Sequence, residues 1–180
     1  SYLIVKGSLI AIGGKANPII FDAISDSWKG IYVLNADNGN VLWQHQGIFN
    51  NTTLIDSPKV AVDENIVIVP YSNGEFFALN LSNGKEIWRN SFIDLGIKET
   101  TNSFSDIDAF PVINKNIVII SSAIGKLIAV NKKNGNKLWS RDITTTQTPL
   151  VNGNSIFLVN QNKEVICLSI LDGRSRWVLP

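Results

Sequence analysis

The chain has 180 residues, of which 44% are hydrophobic, so it is large enough to bury a core and too apolar to be disordered. Its 16 basic and 15 acidic residues leave a formal charge of +1, without the strong positive field of nucleic-acid-binding proteins. No run approaches the roughly 20 apolar residues that a membrane-spanning helix needs. These features predict a globular protein that binds neither DNA nor RNA.

The first predicted elements are four short strands, at 8–12, 19–24, 31–35 and 41–45. The last two flank Asn38-Gly39 and lead to Trp43. An Asn-Gly pair between apolar runs is the strongest short-range signal for a β-hairpin, because glycine accepts a positive φ without strain.

The same hairpin recurs three times further along the chain. The segments 31–43, 76–88, 127–139 and 165–177 each end in tryptophan and align without gaps, with an Asn-Gly or Asp-Gly pair four to five residues before the tryptophan. Eight residues before each tryptophan is an Asn or a Ser that can bond back onto the turn. The aligned pairs are Asn38-Gly39 with Trp43, Asn83-Gly84 with Trp88, Asn134-Gly135 with Trp139, and Asp172-Gly173 with Trp177.

Two further strands precede each of the later hairpins. Apolar runs lie at 66–71, 117–122 and 156–159, each following a shorter apolar piece near Pro58, Pro111 or Pro149. No stretch has sustained helical periodicity, so we expect an all-β chain with under about 10% helix.

A repeat of four strands with a period of about 45 residues is typical of β-propeller blades, because such a sheet must stack on its neighbours to bury both faces. The chain is therefore predicted to be a single propeller segment, 1–180, with blades at about 8–46, 57–91, 110–142 and 149–180. The four aligned tryptophans are expected to pack between blades. Trp28 is out of register, and both a turn role and an exposed contact role stay open for it.

The pattern small-x-Asn-x-x-Asn-Gly-x-x-x-Trp resembles the quinoprotein-like repeat, which builds eight-bladed propellers. Within that superfamily, Ser105-Asp106-Ile107-Asp108 followed by Pro111 is similar to the BamB family of outer-membrane assembly factors. The resemblance implies a non-catalytic scaffold without cofactor on the periplasmic side of the bacterial outer membrane, with any lipid anchor outside this chain. Its implied partners are the periplasmic part of a BamA-like barrel protein and nascent outer-membrane proteins.

The resemblance also implies the contact residues. Asp106 and Asp108 match the acidic pair of the family's contact loop, and Leu54 replaces part of the apolar contact of a second loop, although the family's arginine is absent there. From the residues alone, the stretch 90–109 has no convincing strand. Two other interpretations of its carboxylates stay open: a solvated loop whose Asp side chains cap its own turns, and a calcium site at Asp106 and Asp108.

Little in the sequence indicates catalysis. The only histidine, His45, is predicted to be a surface strand residue, and the single Cys167 is predicted to be buried and inert. One cysteine cannot supply the adjacent pair that quinoprotein enzymes place over their cofactor. We therefore predict no enzyme activity and no metal site; the alternative is a fragment of a pyrroloquinoline-quinone-dependent dehydrogenase or of an extracellular sensor propeller.

Four blades are half of the eight that the resemblance implies, so the chain is expected to be a fragment or a half-propeller. Such a half leaves an apolar face bare on its first and on its last blade. Two alternatives follow: a longer natural chain supplies the missing half, or two copies associate head to tail.

Overall fold

The computed structural model describes residues 9–10, 19–22, 31–35, 38–46, 60–71, 73–92, 94–96, 109–122, 125–145 and 147–180. These residues form sixteen β-strands in four sheets of four strands each. No helix occurs among them, which confirms the all-β prediction. Across these ranges, accordingly, there is no helix with the length and apolar character that crossing a membrane requires.

Each sheet is one blade, with its strands in sequential, antiparallel order. The limits predicted for the blades stay a prediction, whereas the strand bounds are observed. The first blade is β1 (Leu9–Ile10), β2 (Ile19–Asp22), β3 (Ile31–Leu34) and β4 (Val41–His45); the second is β5 (Ala61–Asp63), β6 (Ile66–Pro70), β7 (Glu75–Asn80) and β8 (Glu86–Ser91); the third is β9 (Val112–Asn114), β10 (Ile117–Ser122), β11 (Lys126–Asn131) and β12 (Lys137–Asp142); the fourth is β13 (Leu150–Asn152), β14 (Ser155–Val159), β15 (Val165–Ser169) and β16 (Ser175–Leu179).

The middle strands of the second and third blades are buried on both faces. All five residues of β6 are buried, as are the four central residues of β7 and of β11. Continuous runs of Val, Ile, Leu and Phe suit such strands, because a neighbouring blade covers each face. In the outer strand β8, by contrast, the burial pattern centres on Trp88, whose neighbours Ile87 and Arg89 are exposed.

The four predicted hairpin turns are confirmed. Each joins the last two strands of a blade, and each turn glycine has a φ between 67° and 72°. The glycine N–H donates to the backbone carbonyl four residues earlier, as Gly135 does to Asn131 at 2.9 Å. The preceding Asn or Asp does not share the positive φ. Its side chain instead accepts the N–H two residues later, as the Asn134 side-chain oxygen does from Asn136 at 3.1 Å.

The core lies between the blades rather than within them. Three clusters of buried apolar residues join the first blade to the second, the second to the third and the third to the fourth. The first strands β5, β9 and β13 contact each other in succession, which places them on the inner side of the array and the fourth strands on its outer side. This is the stacking that a propeller requires.

Candidate functional site

The repeat tryptophans are the side chains that hold neighbouring blades together. Trp43, Trp88 and Trp139 are buried, and the ring of each lies against the turn glycine of the following blade. A Cβ atom built on Gly84 would lie 2.7 Å from the Trp43 ring. This distance is shorter than any real contact, so the ring fits only because glycine has no side chain.

Each of these indoles also makes one hydrogen bond to the same blade that it packs against. Nε1 of Trp43, Trp88 and Trp139 donates to the carbonyl of Leu81, Lys132 and Ile170, respectively, at 2.8 Å in all three cases. Each acceptor lies three residues before the turn glycine. We call this contact between two consecutive blades a joint. The tryptophan of the joint comes from one blade and the glycine turn from the next, so each repeat motif contains a residue of both kinds.

A second polar contact, not predicted from the sequence, strengthens two of the three joints. The residue two positions after the tryptophan donates to the turn of the next blade: Asn90 Nδ2 to the Gly135 carbonyl at 2.8 Å, and Arg141 Nε to the Gly173 carbonyl at 2.8 Å. Arg141 also donates to the Asp172 carbonyl at 2.6 Å. The sequence signal that could have predicted this contact is a polar side chain two residues after the tryptophan in three of the four repeats, at His45, Asn90 and Arg141.

His45 occupies the same position in the first blade, and the prediction that it is a surface residue is wrong. Its ring is half-buried between the first two blades, with Nδ1 2.6 Å from the hydroxyl oxygen of Tyr71. The ring centroid lies 4.7 Å from that of Phe77. The reason is that one face of the fourth strand packs against the next blade. His45 lies two residues after Trp43, on the same face of β4, and its side chain therefore points into the joint.

Burial lowers the pKa of His45 from its ordinary value of 6.5, and the negative charge of Glu86 opposes this only in part. The unfolded chain therefore takes up the proton at a higher pH than the folded chain. We expect the free energy of unfolding to fall as the pH drops below about 6.5, and to level off below the folded pKa. Urea unfolding of the wild type and of His45→Phe, at about pH 8 and about pH 5, measures the effect. All other titrating groups are shared by the two proteins. An equal pH dependence in both would contradict the prediction.

The fourth blade carries its tryptophan on a face that no described residue covers. Trp177 is 40% exposed, against 9% or less for the other three repeat tryptophans, so the predicted packing between blades is observed for Trp43, Trp88 and Trp139 and stays a prediction for Trp177. Strand pairing puts six apolar side chains on this side of the sheet, and we call them the fourth-blade face. They are Leu150, Phe157, Val159, Val165, Trp177 and Leu179. Cys167 lies among them and is buried, as predicted.

The contact residues predicted from the family resemblance, Leu54, Asp106 and Asp108, lie outside the described residues, as does Trp28. The described residues on either side of the acidic segment are anchored. Before it, the Ser91 hydroxyl donates to the Asp94 carboxylate at 2.8 Å, and Lys137 Nζ donates to the Leu95 carbonyl. After it, Ala109 is buried and the Phe110 N–H donates to the Thr148 hydroxyl at 3.2 Å.

The described residues contain no group of three or more His, Cys, Asp or Glu side chains that could hold a metal ion. Two open grooves lie between blades. One of about 390 Å³ lies between the second and third blades, beside the Asp63–Lys132 ion pair at 2.7 Å. The other, of about 200 Å³, is lined by Asp142, Thr144 and Asn160 between the third and fourth blades.

Several known proteins are similar to this chain in sequence or in fold. An uncharacterised protein of Rickettsia conorii is 27% identical over 90% of this chain and 39% of its own length. The outer membrane protein assembly factor BamB of Kangiella koreensis is 27% identical over 75% of this chain and 35% of its own length. The chain thus spans well under half the length of these curated relatives.

Among solved structures, BamB from Moraxella catarrhalis superposes with a TM-score of 0.72 and 19% identity, over 94% of this chain and 50% of the other. The quinohemoprotein alcohol dehydrogenase of Comamonas testosteroni superposes with a TM-score of 0.66 and 16% identity, over 92% of this chain and 34% of the other. At these identities both likenesses show the propeller fold alone. The sequence profile of the outer membrane protein assembly factor BamB matches residues 9–179. The chain therefore belongs to the BamB family of quinoprotein-like β-propeller proteins.

Proposed function

We propose that the protein is a non-catalytic scaffold of outer-membrane protein assembly, acting on the periplasmic side of the outer membrane. The observation that carries the proposal is the match of the BamB family profile to almost the whole chain, 9–179. Several relatives that are similar to this chain in sequence are named outer membrane protein assembly factor BamB. We further propose that the partner is the periplasmic part of a BamA-like barrel protein, and that nascent outer-membrane proteins are a second class of partner.

The topology supports one contact surface that combines the predicted residues. Leu54 lies in the connection from β4 to β5, and Asp106 and Asp108 lie in the connection from β8 to β9. Both connect the fourth strand of one blade to the first strand of the next. Because the blades share one strand order and stack in sequence, their fourth strands all end at the same edge of the array. The two connections therefore leave from the same side of the protein.

Long connections between the strands of a rigid scaffold commonly carry binding residues. Here the described residues on both sides of the acidic segment are held by contacts, since Ser91 and Asp94 are hydrogen-bonded to each other and Ala109 is buried. A carboxylate pair in this place suits a partner with a basic surface, and Leu54 adds an apolar contact. We propose Asp106, Asp108 and Leu54 as the partner-binding residues.

The test is the binding of the chain to the purified periplasmic part of a BamA-like protein. The variant Asp106→Asn/Asp108→Asn keeps the shape of both side chains and removes both charges. Loss of a paired interface charge costs about 2 kcal/mol or more, so we expect at least about 30-fold weaker binding. A residue that binds a partner is exposed in the free chain, so under this proposal the free energy of unfolding should change by no more than about 0.5 kcal/mol.

A matched control, Glu64→Asn/Glu86→Gln, removes two exposed carboxylates from the second blade and should bind like the wild type. Equal affinity of the acidic-segment variant and the wild type would exclude Asp106 and Asp108 from the contact. No binding by the wild-type chain itself would exclude the partner. Dehydrogenase activity after addition of pyrroloquinoline quinone and calcium would contradict the non-catalytic proposal and favour the dehydrogenase alternative.

A further inference from the structure

The groove of about 390 Å³ between the second and third blades lies at one edge of the array, where β5 turns into β6 and β9 into β10. The connections from β4 to β5 and from β8 to β9 leave from the opposite edge, because consecutive strands of a blade are antiparallel. The groove is therefore distinct from the edge to which the proposed partner-binding residues belong.

The apolar lining of this groove comes from Ile66 and from an exposed residue of the outer strand, Ile87. A β-bulge places Ile87 there: the pairing of β8 with β7 passes from Glu86 to Trp88, so Ile87 is an extra residue without a cross-strand partner. Bulges commonly redirect the side chain of the extra residue. Ile87 is 45% exposed and does not belong to the buried cluster between the two blades. Its side chain is thus available to a ligand.

The groove carries charges of both signs, and two of them are not neutralised by their neighbours. Asp63 and Lys132 form an ion pair at 2.7 Å. Glu64 and Lys133 also line the groove; both are exposed, and neither forms an ion pair with a described residue. A ligand that is complementary to the groove therefore carries a basic group for Glu64 and an acidic group for Lys133.

Two asparagine side chains, one on each wall, can bond to the backbone of a ligand. Asn65 and Asn116 occupy the same turn position in the second and third blades. The Asn65 carbonyl accepts the Leu81 N–H, and the Asn116 carbonyl accepts the Lys132 N–H. Both side-chain amides are exposed and hydrogen-bond to no described residue. Each amide can donate and accept, as an extended peptide backbone requires.

We propose that the groove binds an extended segment of an unfolded polypeptide, with a large apolar side chain of the segment against Ile87 and with a basic and an acidic residue beside it. An apolar lining, amides on both walls and charges of both signs fit a polypeptide better than a lipid or a purely apolar molecule. The proposal gives a site to the second class of partner, nascent outer-membrane proteins, and in that respect it rests on the proposed function.

The test is an NMR titration of the chain, labelled at its isoleucine methyl groups, with a short capped peptide. The peptide has a central leucine, with lysine two residues to one side and glutamate two residues to the other, so that all three side chains share one face of an extended chain. Both orders of the charges are used. We expect the Ile87 methyl signals to shift at about 0.1–1 mM peptide, as suits a small contact. Replacing the leucine of the peptide by alanine should weaken binding at least about tenfold.

Ile87→Ser tests the apolar contact, and Leu138→Ser is its matched control. Leu138 is the extra residue of the same bulge in the third blade, is 46% exposed and does not line the groove. Both positions are exposed, so both variants should fold. Measured by the fluorescence anisotropy of a labelled peptide, binding should be at least about tenfold weaker for Ile87→Ser and unchanged for Leu138→Ser.

Glu64→Gly tests the charge, and Lys115→Gly is its matched control. Glu64 and Lys115 occupy the same turn position in consecutive blades, with φ of 52° and 53°, and Gly153 occupies it in the fourth blade with a φ of 57°. Glycine accepts this φ without strain, so neither substitution should lower the urea midpoint. We expect Glu64→Gly alone to weaken binding, by about threefold at low salt, and the difference to vanish at high salt.

Three results would overturn the proposal. The first is unchanged Ile87 methyl signals with every peptide up to about 5 mM. The second is equal binding by the wild type and by Ile87→Ser. The third is equal affinity for the peptide and for N-acetyl-leucine amide, which would assign the groove to small apolar molecules. No barrel-assembly protein takes part in these experiments, so their failure is distinguishable from a failure of the proposed function.

Discussion

Replacing Gly135 by alanine is expected to lower the free energy of unfolding by about 2–4 kcal/mol, because overpacking and a strained backbone act together. The added Cβ would lie 2.8 Å from the Trp88 ring and 2.5 Å from Asn90 Nδ2, at a φ of 72°. The ring cannot withdraw without giving up its hydrogen bond to the Lys132 carbonyl. Urea unfolding monitored by circular dichroism measures the change.

The control for this prediction is Gly153→Ala, in which the backbone strain is present without the clash. Gly153 has a φ of 57° and no atom of a described residue within 4 Å of its added Cβ, so the cost should be about 1 kcal/mol, the conformational part alone. If both substitutions cost the same, the glycine at the joint is required by the turn and not by the tryptophan.

The second large effect is expected for Trp139→Ala, which removes the tryptophan of the joint between the third and fourth blades. Truncation of a buried tryptophan typically costs about 3–5 kcal/mol through lost contacts and the cavity left behind. Here the Ile170 carbonyl also loses the indole N–H that donates to it at 2.8 Å. Chemical unfolding should show the loss as a lower midpoint.

Trp177→Ala is the matched control, since it makes the same substitution at the same position of the repeat. Trp177 is 40% exposed and its cross-strand neighbours lie in its own blade, so the cost should be about 1 kcal/mol in dilute, monomeric protein. Trp139→Phe should fall between the two, because the ring packs but cannot donate the hydrogen bond. A loss in Trp177→Ala as large as in Trp139→Ala would mean that the tryptophans stabilise their own blades and not the joints.

Both predictions follow from the nearest-neighbour character of the fold. Each of the three buried clusters joins one pair of consecutive blades, so a substitution at a joint acts on two blades and not on the whole array. The joints are not identical. The first uses the aromatic cluster of His45, Tyr71 and Phe77 where the others use the polar contacts of Asn90 and Arg141.

The hairpins could be predicted from the sequence because they are local. The Asn-Gly or Asp-Gly pair, the apolar runs beside it and the Asn that bonds back onto the turn all lie within 13 residues, as in 76–88. Glycine is favoured at a positive φ whatever surrounds the turn, so Gly84 and Gly135 indicate the turns from the sequence alone. Four repeats of one such unit, none able to bury both faces alone, then predict the all-β stacked fold.

Only the tertiary structure decided what lies across each joint. Trp139 and Trp177 stand in the same motif, yet one is buried and the other is 40% exposed, because burial depends on whether a neighbouring blade is present. His45 lies in a joint rather than on the surface for the same reason: its environment is set by Tyr71 and Phe77, residues of another blade. Residues that are close in the sequence determine where a side chain lies in its own sheet. Which residues cover that side chain depends on another blade, which is distant in the sequence, and is known only once the sheets are stacked.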